Sequence, residues 1–163
     1  MGHKTYFLAS VEGMSGVANL RTANDAAVDS SSAWQIGGAY GFVFAQKDER
    51  RFMGELRLGY RHEKRNTADD KKLSSSTFLM GTKLLYEGPY NEYFGWGAQA
   101  TFHLKFSVPT KDFLKAPSRY LVSIGPVISQ DIGFEKPSEL RWQPALWFNS
   151  KEVYFALGLD MIF

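Results

Sequence analysis

Large apolar residues recur at every second position along most of the chain. The clearest segment is the last one, whose odd positions are occupied by Val153, Phe155, Leu157, Leu159, Met161 and Phe163. Small, polar or charged residues fill most of the even positions between them. Because successive side chains of a β-strand point to opposite faces, this period of two predicts a strand with one apolar and one polar face.

The same alternation occurs in seven further segments, none of which has a helical period. Their apolar faces begin near Tyr6, Trp34, Phe52, Phe78, Phe94, Tyr120 and Leu140. Eight spans of about ten residues use roughly half of the chain and leave ordinary connections between them. The sequence therefore predicts a single all-β domain over residues 1–163, an eight-stranded antiparallel up-and-down barrel. Residues 1–3 are interpreted as a cloning remnant, and the missing secretory signal as the result of processing.

The orientation of the two faces decides between a soluble and a membrane barrel. A soluble barrel buries its large apolar face, whereas an outer-membrane barrel turns that face to lipid and encloses a polar interior. Gly and Ala occupy much of the polar face here, as suits a narrow lumen, and the apolar face carries no Lys, Arg, Asp or Glu. Aromatic residues lie near the segment ends, as in interfacial girdles. We therefore expect a transmembrane barrel.

Composition excludes several classes of function. The 163 residues include 19 Lys and Arg against 17 Asp and Glu, and a net charge of +2 gives no basis for binding nucleic acid. Cysteine is absent, which excludes disulfides, thiolate metal sites and cysteine nucleophiles. No phosphate-binding loop and no zinc or calcium spacing occurs in the sequence, so we expect no cofactor and no metal.

The C-terminal segment carries the most specific mark, because it ends on Phe163 with large apolar residues at alternate positions before it. In this the chain resembles the small outer-membrane β-barrels of Gram-negative bacteria, of the OmpA transmembrane-domain, OmpX or Ail type. The resemblance implies a monomer in the bacterial outer membrane, in contact with its lipids and lipopolysaccharide. It also implies a signal for the barrel-assembly machinery, formed by Phe155, Leu157, Leu159, Met161 and Phe163.

Two prolines, Pro126 and Pro144, fall inside predicted strands. A closed barrel has no edge strand, and proline has no N–H to donate to the ladder. We therefore expect a β-bulge near each proline, where the parity of the strand can slip.

The polar faces carry both signs of charge at positions that would face the lumen. These residues are Glu12, Glu55, Arg57, Arg61, Lys83, Glu87, His103, Lys105, Glu139, Arg141 and Glu152. An eight-stranded barrel is only just wide enough for its own side chains, and an unpaired charge inside it would cost several kcal/mol. We therefore expect ion pairs that fill the lumen. A narrow ion-conducting channel is the alternative.

A lipid A-modifying hydrolase is a further alternative, raised by His62. This residue has the lipid-facing parity at the outer end of the third strand, and a hairpin would bring Ser74 or Ser76 beside it. The acids near enough in sequence to orient the imidazole are Glu63, Asp69 and Asp70. The placement resembles that in lipid A deacylases, but their His-x-Ser arrangement on one strand is missing. The sequence favours a rim histidine at the headgroup interface.

His103 is a weaker catalytic candidate because it faces the predicted lumen. The nearest serine on its face, Ser107, is four residues along the strand and so roughly 13 Å away. That separation is too large for a nucleophile and its base, which leaves His103 as a member of the interior network.

Cationic residues collect in or beside the predicted outer connections at 21–31, 63–73 and 108–117. They are Arg21, Lys64, Arg65, Lys71, Lys72, Lys111, Lys115 and Arg119. Such a patch suits the phosphates of lipopolysaccharide or a host polyanion, although interleaved acids also fit ordinary solvated loops. The function that the resemblance implies is non-enzymatic: membrane integrity, or surface interaction and adhesion through the outer loops.

Overall fold

A computed structural model describes residues 5–18, 28–47, 50–68, 72–89, 94–107, 119–131 and 139–163. Its strands are β1 (Thr5–Ala18), β2 (Val28–Lys47), β3 (Arg50–Thr67), β4 (Lys72–Pro89), β5 (Phe94–Ser107), β6 (Tyr120–Asp131), β7 (Glu139–Phe148) and β8 (Glu152–Ile162). Each strand pairs antiparallel with its sequence neighbours, and β1 pairs with β8 to close the barrel. The predicted eight-stranded up-and-down barrel is confirmed. The described residues contain no helix long and apolar enough to cross a membrane.

The barrel is built with its apolar side chains outside and its charged side chains inside. Leu58 and Phe155 are each 66% exposed, whereas Arg61 and Arg141 are at most 1% exposed. In water this arrangement would expose a continuous belt of large apolar residues. In lipid the apolar belt is surrounded by acyl chains, and the buried arginines find carboxylate partners within the barrel.

Strands β2, β3 and β4 are longer than the others, with 20, 18 and 18 residues. The extra length of β3 and β4 lies at the outer end, where β3 runs to Thr67 and β4 begins at Lys72, whereas β2 also extends at the inner end, to Lys47. The expected outer connection at 63–73 is therefore wrong, since most of it belongs to the two strands. The apolar alternation disappears there because the side chains on both faces of the extension are mostly polar.

The seam between β6 and β7 is interrupted at mid-height. Pairing stops after Ile124↔Leu146 and resumes beyond it in the same register, which sets Pro126 directly opposite Pro144. The ladders on the far sides of these strands run unbroken past both prolines. Because neither proline has an N–H, the two bonds that a facing pair would exchange are absent.

The bulges expected at these prolines are wrong, because the two residues share one gap and neither strand gains a residue. Register shifts occur instead between β2 and β3, at Val28/Ser30 and at Val43/Ala45.

The broken seam predicts an alternating pattern of amide exchange along β7. The backbone N–H groups of Trp142 and Leu146 point towards β6 on either side of the gap. Those of Gln143 and Ala145 point towards β8, where the ladder is continuous. Each bond lost at the gap removes about 1 kcal/mol of local support, so we expect the amides of Trp142 and Leu146 to exchange about fivefold faster than those of Gln143 and Ala145. Amide exchange followed by NMR in lipid nanodiscs measures this, and uniform protection along β7 would contradict it.

Candidate functional site

The inner half of the lumen is filled by a balanced group of ion pairs. Arg141 contacts Glu55 at 2.9 Å, Glu87 at 2.6 Å and Glu139 at 3.1 Å. Arg51 lies at the inner mouth and contacts the last two of these carboxylates at 2.7 and 2.9 Å. These side chains come from β3, β4 and β7. The contacts therefore cross the lumen and join β7 to β3 and β4, which are not its neighbours in the sheet.

Asp160 of β8 is the centre of the middle layer. Arg57 donates to both of its carboxylate oxygens, at 3.0 and 3.1 Å, and Lys83 lies 3.3 Å away. Arg57 also donates to Glu55 at 2.7 Å, which joins this layer to the inner group. Gln143 bridges Lys83 and Asp160 by accepting from the first and donating to the second. The two parts together pair four cations with four carboxylates.

The outer half of the lumen carries a second group. Glu63 contacts Arg61 at 2.6 Å and Arg65 at 2.5 Å, and Glu152 contacts Arg65 at 2.7 Å and Lys105 at 3.0 Å. The sequence-based assignment of Arg65 to the outer basic patch is therefore wrong. Arg65 has the same odd parity as Arg61 on β3, and β3 extends far enough to keep both side chains inside.

Two tyrosines support the charged groups from within. Tyr6 donates to Glu55 at 2.9 Å, and the Arg141 guanidinium lies 5.2 Å from the centre of its ring. Its ring fits because position 41 is glycine, where a Cβ would come within 2.1 Å of the ring. Tyr154 has the corresponding position at the outer end. It donates to Glu152 at 3.0 Å, and the Arg61 guanidinium lies 4.6 Å from the centre of its ring.

Several members of this network were missed from the sequence. They are Tyr6, Arg51, Glu63, Arg65, Gln143, Tyr154 and Asp160. Asp160 and Tyr154 had a usable signal, since both occupy even positions of the clearest alternating segment. Glu63 and Arg65 had none, because alternation in that segment no longer separates the two faces.

Glu12 and His103 lie beside a small internal cavity. Glu12 accepts from Gln35 at 2.6 Å and from Trp147 at 2.5 Å, and the His103 ring stacks on Trp147. The cavity has a volume of about 10 Å³, which is room for a single water molecule. Among the described residues no group of three or more His, Asp or Glu side chains is arranged to hold a metal ion.

The outer rim of β2–β4 is where the structure brings His62 and a serine together. The β3–β4 register pairs His62 with Ser76, whose Oγ lies 3.2 Å from His62 Nδ1. Ser74 pairs with Lys64 instead. Glu63, considered as an acid partner, points into the lumen, and 69–70 lie outside the described residues.

The predicted basic patch is only partly described. Lys64, Lys72 and Arg119 are exposed at the outer end. Arg21, Lys71, Lys111 and Lys115 lie outside the described residues.

The residues predicted as an assembly signal lie on the lipid-facing side of β8. Phe155, Leu157, Met161 and Phe163 are exposed, and Leu159 is half-buried. Their role in assembly stays a prediction.

Removing the central carboxylate should destabilise the barrel. Asp160→Asn leaves Lys83 without a carboxylate and Arg57 with only Glu55, so we expect the free energy of unfolding to fall by about 3–5 kcal/mol. Urea unfolding in lipid vesicles measures the loss. The double variant D160N/K83M also removes a cation and should recover at least about half of it. A single-variant loss below about 1 kcal/mol would contradict the network.

The filled lumen predicts that the barrel does not conduct. Ion pairs occupy the inner, middle and outer layers, and the cavity between them holds about one water molecule. In planar bilayers we expect no discrete current steps above leak. Reproducible openings of one size would show that a path exists through the network.

Comparisons with known proteins add a structural likeness. No known family profile matches the chain, and no curated protein matches it. Among solved structures it is similar to the backbone structure of the Yersinia pestis outer membrane protein Ail in a phospholipid bilayer nanodisc. The alignment covers 96% of this chain and 99% of that chain, with 11% identity and a TM-score of 0.45. By its own closed strand order, apolar belt and ion-paired interior, the chain is an eight-stranded antiparallel β-barrel of the transmembrane kind.

Proposed function

We propose that the chain is an integral barrel of the bacterial outer membrane that stabilises the outer leaflet by binding lipopolysaccharide at its outer rim. The observation that carries this is the outward face of β2–β4, which changes from apolar to cationic and hydroxyl-bearing towards the outer end. A barrel that binds headgroups needs such a face just above its apolar belt.

The register orders this outward face into rows. Trp34, His62 and Ser76 form the first row above the belt. Ser32, Lys64 and Ser74 form the second, and Ser30, Asn66 and Lys72 lie near the tip. Two ammonium groups among several hydroxyls match the phosphates and sugars of a lipid A headgroup.

The interior supports an anchoring role in a different way. Its ion pairs connect described side chains from five strands, β3, β4, β5, β7 and β8, and the hydrogen bond from Tyr6 to Glu55 adds β1. A cross-linked interior favours a rigid wall, and a rigid wall presents the rim lysines at fixed spacing.

Adhesion and recognition of a host ligand remain predictions for the outer connections. The segments at 19–27, 69–71 and 108–118 that would carry them lie outside the described residues. Recognition by the barrel-assembly machinery and a monomeric state are likewise expected from the family resemblance.

The rim lysines supply the test. Lys64→Ala with Lys72→Ala should weaken lipid A binding about 30-fold, because each lysine near an anionic headgroup contributes about 1 kcal/mol. Titration of fluorescent lipid A into barrels held in phosphatidylcholine nanodiscs measures the affinity.

The matched control uses cations at the opposite end of the barrel. Lys47 and Arg50 are exposed and face each other at the inner end of β2–β3, so K47A/R50A removes the same charge from the wrong side. We expect at most about a twofold change for this pair. An equal loss in both double variants would mean that total charge, and not the outer rim, determines binding.

A further inference from the structure

Ser76 lies in a chain of three polar groups on the lipid-facing side of the barrel. Tyr60 donates its hydroxyl proton to Ser76 Oγ at 2.6 Å, and His62 Nδ1 lies 3.2 Å from the same oxygen. With the Tyr60 proton directed at Oγ, Ser76 can donate its own proton to the imidazole when Nδ1 is the unprotonated ring nitrogen. A neutral His62 with its hydrogen on Nε2 accepts that proton at Nδ1.

The three groups are held by the sheet and by ring contacts. Tyr60 and His62 lie two residues apart on β3, so they share a face, and Ser76 is the cross-strand partner of His62. The Trp34 ring packs against both, with ring centres 5.8 Å from Tyr60 and 5.7 Å from His62. Phe78 contacts Tyr60 from the belt side, at 5.6 Å. These contacts restrict the rotamers of the tyrosine and histidine.

The position of the group defines the substrate that reaches it. Trp and Tyr side chains mark the membrane–water interface, and the ester carbonyls of lipids lie at that depth, between headgroups and acyl chains. Ser76 faces outward, so a lipid meets it by lateral diffusion without entering the filled lumen. Lys64 and Lys72 lie one and two rows further out, at the level of the phosphates.

We propose that Ser76 and His62 form a nucleophile–base pair that cleaves carboxylic esters of outer-leaflet lipids. Ser76 Oγ attacks the ester carbonyl while His62 Nδ1 takes its proton. Collapse of the tetrahedral intermediate breaks the bond to the alcohol, which leaves with the proton from His62. Water then hydrolyses the acyl-serine by the same transfers, releasing the fatty acid and restoring Ser76.

Tyr60 acts as a positioning residue in this scheme. Its hydroxyl holds Ser76 Oγ in the rotamer that faces His62 and stabilises the oxygen as it loses its proton. No carboxylate occurs among the described outward-facing side chains at this end of β2–β4, and the proposal names only Ser76 and His62 as the reacting pair. The inference takes the membrane location from the proposed function, but it does not depend on lipopolysaccharide binding by the lysines.

The experiment measures fatty acid release by the full refolded chain. One arm supplies lipopolysaccharide in mixed micelles and the other supplies phosphatidylethanolamine vesicles, which separates the two sources of ester. Mass spectrometry quantifies the released acid, and a fluorophosphonate probe followed by peptide mapping identifies the reactive serine. We expect release in at least one arm and labelling at Ser76.

The variants separate chemistry from folding. Ser76→Ala and His62→Gln should each lower the release rate at least 100-fold, and Tyr60→Phe should lower kcat without changing KM. Ser150→Ala, an exposed serine in the turn between β7 and β8, is the control and should stay within about twofold. Heat-modifiable migration on a gel confirms that each variant is folded. No release in either arm, or release that survives Ser76→Ala, would overturn the proposal, while the lipid A titration of the lysine variants would be unaffected.

Discussion

A charge inside a lipid-embedded barrel has to find its counter-charge inside the same barrel, and this constraint organises the rest of the structure. Among the described lumen residues, ion pairs join seven cations to six carboxylates, and a further carboxylate, Glu12, is held by Gln35 and Trp147. Neither member of a buried ion pair can be removed alone without cost, because its partner is left as an uncompensated ion. The network therefore favours one register for the whole barrel, because a one-residue slip would turn its charges into lipid.

The same constraint determines where chemistry is available. A lumen filled by paired side chains offers little room for a ligand, and the cavity beside Glu12 and His103 is about the size of a water molecule. The outer surface is different, because β2–β4 rise above the apolar belt and place hydroxyls, an imidazole and two lysines at headgroup level. The proposed lipopolysaccharide binding and the proposed ester cleavage both use this face, and they depend on different side chains of it.

Alternation along the chain was sufficient to predict the strand number, the closed topology and the lipid-facing side. It failed where the physical contrast behind it disappears. Arg65 and Glu63 lie above the belt, where both faces are polar, so their inward direction was not visible. The contact between His62 and Ser76 depends on a register that spacing alone left open between Ser74 and Ser76. Pro126 and Pro144 lie opposite each other because of the register between β6 and β7, and the sequence of either strand alone does not determine that register.

The inverted arrangement is tested most directly by two tryptophans on one strand. Trp142 is 41% exposed on the outer face of β7, and Trp147 is 3% exposed in the lumen. In variants that keep one tryptophan each, refolded into vesicles with brominated acyl chains, Trp142 fluorescence should be strongly quenched and Trp147 fluorescence should not. The opposite result, with Trp147 quenched and Trp142 protected, would show that the charged face of the barrel is the outer one.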